Sequence, residues 1–431
     1  MLLTARAYAY IAGVTLLGIF GLWYGGDAQA LWRVPASALI VAWVSEGYTA
    51  RRARLAVERR VPEAVHLGQT CTGHVELDNG GRRRLRVQLR QVWPAGVAGD
   101  DGVTECTVPA AGVHELAFSA LPQRLGRIVL PPLYGRVLGY FGLAWWPRAW
   151  PAACELRVVP AALRGTERTP VTQREGAVAV SLAGRGGELL VLREYRPGDP
   201  LRAIDWKASA RSGRLTVREL SQDQHLELML LIDAGKTSGL QAGALSRLGY
   251  YANAAARLAE RALSNGDRVG VAVYADAVVE SLPPAGGAQG LVRVRALLER
   301  LRPAASESNP LSAVLHASRL LKRRSLVVLF TELDEGVHDG QFARAMGLLV
   351  LKHLPLIAGL LDPDLVALHQ QPARHWLDPY RSFAALEMLQ AGRHAALRLR
   401  RMGCHVIQEN PEHLDAAVLD YYRRLRGRKR L

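Results

Sequence analysis

Hydrophobic rhythm changes three times along the chain. Residues 7–24, AYAYIAGVTLLGIFGLWY, carry no charge, and eighteen apolar positions are about the minimum for a helix that crosses a bilayer. A second apolar stretch, residues 31–48, has Arg33 and Pro35 near its start. An arginine can snorkel from such a position, and a proline fits a first helical turn. Trp23, Tyr24, Trp32, Trp43 and Tyr48 lie near the ends of the two stretches, where interfacial aromatics belong. A transmembrane helical hairpin is the expected element.

Arginines set its orientation. Arg6 precedes the first stretch; Arg51, Arg52, Arg54, Arg59 and Arg60 follow the second; the loop 25–30 carries one acid and no base. The positive-inside rule then places both ends in the cytoplasm. Two other readings stay open. Ala28-Gln29-Ala30 has the small-residue spacing of a signal-peptidase site, in which case the second stretch becomes a stop-transfer anchor. The pair could also form a buried soluble hairpin, although no compact partner segment is evident nearby.

From residue 61 to 160 the period falls to two. Short alternating runs (66–79, 85–94, 113–122, 127–138) are bounded by Asn79-Gly80-Gly81, Pro94, Gly112 and Pro122, which predicts an antiparallel β-sandwich-like domain. Arg82, Arg83, Arg84 and Arg86 cluster at one turn, as a solvated tip or as a contact for anionic lipid. The run 138–143, LGYFGL, reads as a bend at a core edge and shows no chemistry.

Beyond residue 226 apolar strand-like runs alternate with helical periods. Strands are expected over 226–234, 267–275, 325–333, 354–362 and 404–408. Helices are expected over 244–263, 291–301, 311–324, 341–353, 380–402 and 411–426. That alternation predicts a doubly wound, mainly parallel sheet, whose ligands bind at the carboxyl ends of its strands.

Composition narrows the function. Length 431, with 49% apolar and 22% charged residues, allows two or three folded domains and excludes a disordered chain. Cys71, Cys106, Cys154 and Cys404 lie far apart with no CxxC spacing, against a disulfide scaffold or zinc ribbon. The net charge of +16 suggests an anionic neighbour, nucleic acid or an acidic leaflet. There is no Gly-x-Ser-x-Gly, Walker A loop or His-Glu-x-x-His, and His338, His353, His369, His375, His394 and His405 share no ligand spacing. Residues 421–431 hold six bases and no acid, a frayed end or a clamp on anionic lipid.

Residues 188–220 are the densest in information. Acids and bases alternate around Trp206: Arg193, Glu194, Arg196, Asp199, Arg202, Asp205, Lys207, Arg211. A polyanion groove would hold few acids, so a paired network is expected, partly desolvated, at the junction of the strand-rich and α/β domains. The string Arg193-Glu194-Tyr195-Arg196-Pro197-Gly198-Asp199, then Arg202, then Ile204-Asp205-Trp206-Lys207-Ala208-Ser209-Ala210-Arg211, resembles the signature of the domain of unknown function 58 family. Ser212 stands where that family usually has threonine. The rest of the chain is similar in layout: membrane hairpin, strand-rich domain, signature, then a von Willebrand factor A-like domain. The resemblance implies MoxR-type AAA+ ATPases and other von Willebrand A-like proteins as partners.

It also implies where a cation would bind. A von Willebrand A metal site has Asp-x-Ser-x-Ser after its first strand, plus a threonine and an aspartate from later loops. Here the corresponding residues are Asp233, Gly235 and Thr237, then Asn309 and Glu332, with Lys236 adding a competing charge. Carboxylate with hydroxyl suits Mg²⁺, but Gly235 supplies no oxygen, so a degenerate site is expected.

The expected architecture is a membrane-anchored α+β multidomain chain. Residues 1–60 are the transmembrane hairpin and basic juxtamembrane segment, and 61–160 the sandwich-like domain. Residues 161–225 are the linker and signature, and 226–431 the doubly wound α/β domain. The expected function is a non-enzymatic scaffold in the bacterial cytoplasmic (inner) membrane, two-pass, with most of the chain in the cytoplasm. The rivals are a Mg²⁺-dependent enzyme or adhesion-type metal site using Asp233, Thr237 and Glu332, and a membrane-tethered nucleic-acid binder.

Overall fold

The computed structural model describes residues 2–25, 30, 32–163, 183–184, 188–197, 199, 201–221, 225–333 and 340–427. The chain divides into two units, Met1–Ala161 and Ala162–Leu431. The hairpin therefore belongs with the strand-rich segment, and the signature with the α/β segment. Residues 26–29, which include most of the candidate cleavage site, and residues 428–431 of the basic end lie outside the described residues.

In the first unit, strand β1 (Leu2–Leu3) is followed by helices α1 (Ala5–Tyr24) and α2 (Arg33–Arg51). Strands β2 (Leu55–Arg60), β3 (Val65–His66), β4 (Cys71–Asn79), β5 (Leu85–Arg90), β6 (Val97–Gly99) and β7 (Val103–Val108) come next. After them run β8 (Gly112–Pro122), β9 (Gly126–Leu130), β10 (Leu133–Leu138), β11 (Ala144–Trp150) and β12 (Cys154–Val159). An antiparallel sheet β1-β11-β10-β5-β7 and a second, β2-β4-β8-β6, are accompanied by a small sheet β3-β12-β9. Alternate residues of the two larger sheets meet in one core. Val87, Leu89, Val108, Leu133 and Val137 come from one sheet, and Leu55, Val75 and Leu77 from the other. Period-two alternation located β4, β5, β8, β9 and β10. It missed β1, β2, β6, β7, β11 and β12; in β11 a proline and paired tryptophans blur the pattern.

α1 is long and apolar enough to cross a membrane, with a mean hydropathy of 1.4 over its best window. α2 is helical but falls short by the same measure, and its last turns are part of the domain: Glu46, Gly47 and Ala50 are buried. Gly47 has to be glycine, because a Cβ there would meet the Trp146 ring at 2.5 Å. A compact partner for the end of α2 therefore exists, 97 residues downstream at Leu143 and beyond, where local sequence could not show it.

The second unit opens with β13 (Ala183–Gly184), β14 (Glu188–Glu194), α3 (Trp206–Ser212) and β15 (Thr216–Ser221), whose three strands form the signature sheet. Then follow β16 (Glu227–Asp233), β17 (Gln241–Ala242), β18 (Leu245–Ser246), α4 (Arg247–Ser264), β19 (Arg268–Tyr274), β20 (Val278–Ala285), α5 (Gly287–Glu299) and α6 (Pro310–Leu320). The rest is β21 (Leu326–Phe330), α7 (Gly340–Lys352), β22 (Leu354–Leu360), α8 (Pro363–Gln370), α9 (Asp378–Arg401), β23 (His405–Glu409) and α10 (Leu414–Gly427). The six-stranded sheet runs β20-β19-β16-β21-β22-β23, parallel except for β20 at its edge. Met229 and Leu231 join the core with α6, α7 and α9, while the equally buried Leu228, Leu230 and Ile232 alternate with them onto the other face. Burial on both faces explains the continuous apolar strands. β20 and α8 were missed: β20 carries two prolines, and α8 is a short half-exposed helix.

At the amino end of β19, Asp267 is fully buried. It accepts from the Leu226 N–H (3.1 Å) and from Arg426 and Tyr422 of α10. Burial and that carboxylate push the Tyr422 hydroxyl up to about 12. This network pins the last helix to the sheet.

Candidate functional site

Two charged regions of the second unit carry the residues singled out from sequence. The first lies at the carboxyl ends of the parallel strands. Asp233 ends β16 and is 5% exposed. One carboxylate oxygen accepts from the Gly235 N–H (2.9 Å) and the Ser308 hydroxyl (2.5 Å), and the other from the Thr331 hydroxyl (2.7 Å). A Cβ at position 235 would collide with Ser308 Oγ. Gly235 is therefore the consequence of a hydroxyl arriving from a later loop.

Two of the other three proposed ligands are engaged elsewhere. Thr237 lies in a 3-10 turn, Lys236–Gly239. Asn309 is the N-cap of α6, its side-chain oxygen accepting from the Ser312 N–H at 3.2 Å. Glu332 is paired with Arg247, the first residue of α4, and that guanidinium also donates to Asp362 at 3.0 Å. The Arg247 side chain is 8% exposed. An internal cation thus neutralises the two acids that follow β21 and β22. Among the described residues, no group of three His, Cys, Asp or Glu is placed to hold a metal ion. Asp233, Thr237, Asn309 and Glu332 do not fit Mg²⁺ as a ligand set: the hydroxyls satisfy the first, a helix cap uses the third and an arginine holds the fourth. Sequence reasoning missed Ser308, Thr331, Arg247 and Asp362, because the contacts that assemble them span between 75 and 115 residues.

The second region is the signature. β14 and β15 pair antiparallel, Arg193 opposite Val217 and Glu194 opposite Thr216. Tyr195 N–H continues the ladder to Leu215 O at 2.8 Å. Between the strands, Asp199 folds back on Arg193 in a two-pronged pair (2.7 and 2.8 Å) and accepts from the Arg196 N–H. Arg193 holds the Asp199 carboxyl down at about 2. Asp205 is the N-cap of α3, accepting from the Ala208 N–H at 3.0 Å, and Gly213, left-handed at φ 69°, ends the helix. Buried Ser209 accepts from the Thr216 N–H at 2.9 Å, tying α3 to β15. Gly198 and the Arg202 side chain lie outside the described residues.

A desolvated network around Trp206 is not what forms. Trp206 is 67% exposed, and Leu201, four residues before the cap, is 69% exposed. Lys207 and Arg211 are exposed as well. Asp199 is held by Arg193 and Asp205 by a helix end. Exposed beside them are Trp206, Leu201, Lys207 and Arg211, with Glu194, Arg196 and Arg214 also open to solvent.

Residues 191–371 match the family described as protein of unknown function DUF58. That span starts inside β14 and takes in the signature and most of the parallel sheet. Uncharacterized proteins of Mycobacterium tuberculosis (strain H37Rv) and Mycobacterium bovis are 25% identical over 215 residues, covering 48% of this chain and 67% of theirs. Among solved structures, a protein of unknown function from Porphyromonas gingivalis W83 is 20% identical with a TM-score of 0.19; it covers 24% of this chain, which in turn spans about half, 47%, of that protein. Part of Escherichia coli alpha-2-macroglobulin is 14% identical with a TM-score of 0.21, over 26% of this chain and 17% of that one.

In the first unit, Arg82, Arg83 and Arg84 occupy the turn between β4 and β5, whereas Arg86 lies in β5 and is bonded to Glu105. The run 138–143, which showed no chemistry in sequence, forms the β10–β11 turn. Both helices of the hairpin converge on it: Thr4 Oγ1 donates to Gly142 O at 2.6 Å, and the buried Glu46 accepts from the Leu143 N–H at 3.0 Å.

Proposed function

We propose that this chain is a membrane-anchored, non-enzymatic adaptor that recruits a cytoplasmic protein through the exposed face of its signature. The observation that carries this reading is the exposure of Trp206. A tryptophan two-thirds open to water, on a helix fixed by its own cap and by Ser209, is a ready anchor for a protein interface. The family resemblance makes a MoxR-type AAA+ ATPase, or another von Willebrand A-like protein, the first partner to seek. On this reading the parallel sheet is a von Willebrand A-like domain whose cation site has been replaced by hydroxyls and Arg247. α1 and α2 form a two-pass anchor in the inner membrane, with the arginines at both ends in the cytoplasm.

A second apolar row competes for the same role: Trp376, Tyr380 and Phe383, each 68–71% exposed, just before and within the first turns of α9. Affinity capture from detergent-solubilised membranes with the full chain, read by mass spectrometry, tests the proposal. Enrichment of an AAA+ ATPase that disappears with Trp206→Ala and persists with Tyr380→Ala supports it. Loss with Tyr380→Ala alone moves the interface to α9. A nucleic-acid cargo, or no protein enriched at all, overturns the adaptor.

A further inference from the structure

We propose that the β10–β11 turn, residues 139–143, is a membrane-seated wedge: Tyr140 and Phe141 lie in the headgroup layer of an anionic leaflet, with Arg6 and Arg83 on their flanks. This rests on the reading of α1 as a membrane helix.

The geometry fixes where the turn must sit. β1 pairs with β11, Leu2 opposite Trp145 and Leu3 opposite Ala144. Thr4 N–H then donates to Leu143 O at 2.9 Å, and Thr4 itself caps α1. No slack separates the helix from the domain. α1 has 20 residues, about 30 Å at 1.5 Å per residue, which is the thickness of the hydrocarbon core. An α1 that fills that core starts at its edge, so the turn bonded to Thr4 sits at headgroup level.

The returning helix holds the same turn from the other side. Glu46 fills the space a Cβ at Gly139 would need, so only glycine admits it. Trp146 packs on Gly47 as described above. Two helices and a strand thus grip one five-residue turn, and the anchor orients the domain as a rigid unit.

What the turn presents matches a leaflet surface. Tyr140 and Phe141 are 59% and 48% exposed, their rings edge-on at 4.9 Å. Arg83 lies 3.9 Å over the Tyr140 ring, which brings the β4–β5 turn to the same end. Gly80 N–H donates to Arg54 O (2.9 Å), tying that turn to the exit of α2. Arg6 reaches to within 3.4 Å of the Cβ position at Gly142. Arg52 covers Tyr48 at 4.4 Å and Arg51 covers Trp146 at 6.0 Å. Aromatic rings bracketed by guanidinium groups suit the interface of an anionic membrane.

Spin-label depth measurement on the full chain in phosphatidylglycerol-containing vesicles tests this. Cys71→Ser and Cys154→Ser remove the half-buried thiols and leave Cys106 and Cys404 buried. Single labels are placed by Leu17→Cys in α1, Phe141→Cys in the wedge and Val113→Cys on β8. The expected order of depth is Leu17 in hydrocarbon, Phe141 at the headgroups and Val113 in water. In phosphatidylcholine vesicles, or with Arg83→Ala, collision of the Phe141 label with an aqueous nickel reagent should rise severalfold. Leu17 in water overturns the anchor itself. Leu17 in hydrocarbon with Phe141 as wet as Val113 overturns the wedge alone. A Phe141 label immobilised without added oxygen access points to a protein contact and also overturns it. Phe141 depth that ignores lipid charge overturns the anionic preference.

Discussion

The Asp233 edge of the parallel sheet and the signature around Trp206 look alike in sequence, each a mixture of acids, bases and hydroxyls. In three dimensions they are opposites. At the sheet edge every charge named turns inward: Asp233 takes two hydroxyls, and Arg247 bridges Glu332 and Asp362. In the signature Asp199 and Asp205 are also satisfied, but Trp206, Leu201, Lys207 and Arg211 are left outside. The first region closes on itself; the second offers a surface. Charge density alone does not separate the two, because what matters is which partner each group finds.

Removing Arg247 should break this comparison most strongly. Arg247→Met takes from Glu332 and Asp362 the guanidinium they share in a partly buried site, a loss of about 3–5 kcal/mol by analogy with broken buried pairs. Chemical denaturation of the detergent-solubilised chain measures it. A loss within about 0.5 kcal/mol, the range of an ordinary surface change, would mean the sheet edge is not closed by that cation. Added Mg²⁺ should leave the melting temperature of the native chain unchanged, since Arg247 already holds Glu332 and Asp362 and a helix cap uses Asn309.

Asp205→Ala removes a helix cap and should cost about 1 kcal/mol. The same denaturation series reads it, with Asp205→Asn restoring most of the loss. A loss as large as that of Arg247→Met would mean the signature is a buried network after all.

The pH dependence of Asp199 is subtler. Its carboxyl is held at about 2 by Arg193, below the ordinary 3.8. A depressed folded-state value stabilises above the unfolded value, and that contribution is lost as pH falls from about 4 through 2. Carbon-detected NMR titration should show the Asp199 midpoint near 2, rising toward the ordinary value in Arg193→Ala. A midpoint unchanged by that substitution would dissolve the pair.

Much of this was legible in sequence. The continuous apolar strands from Glu227–Asp233 to Leu354–Leu360 announced a sheet buried on both faces, and period two announced the sandwich. Asp233 and Glu332 were correctly placed at strand ends, because topology puts loop residues there. Their partners were not legible: Ser308 and Thr331 reach Asp233 across 75 and 98 residues, and no local pattern encodes that. Trp206 was misjudged for a different reason. Helical spacing put it among charges, yet Asp205 turned to the backbone and left the indole outside. The 139–143 turn was invisible because its role comes from Thr4 and Glu46, which approach from a distant hairpin.

Trp206→Ala tests the central claim most directly. Stability should change by no more than about 0.5 kcal/mol, since the side chain is already in water. Capture of the partner from solubilised membranes should fall by about thirtyfold, the weight of an interface anchor worth roughly 2 kcal/mol. Undiminished capture with an unchanged melting temperature would contradict the account, and the signature would then be a structural brace rather than a recruiting surface.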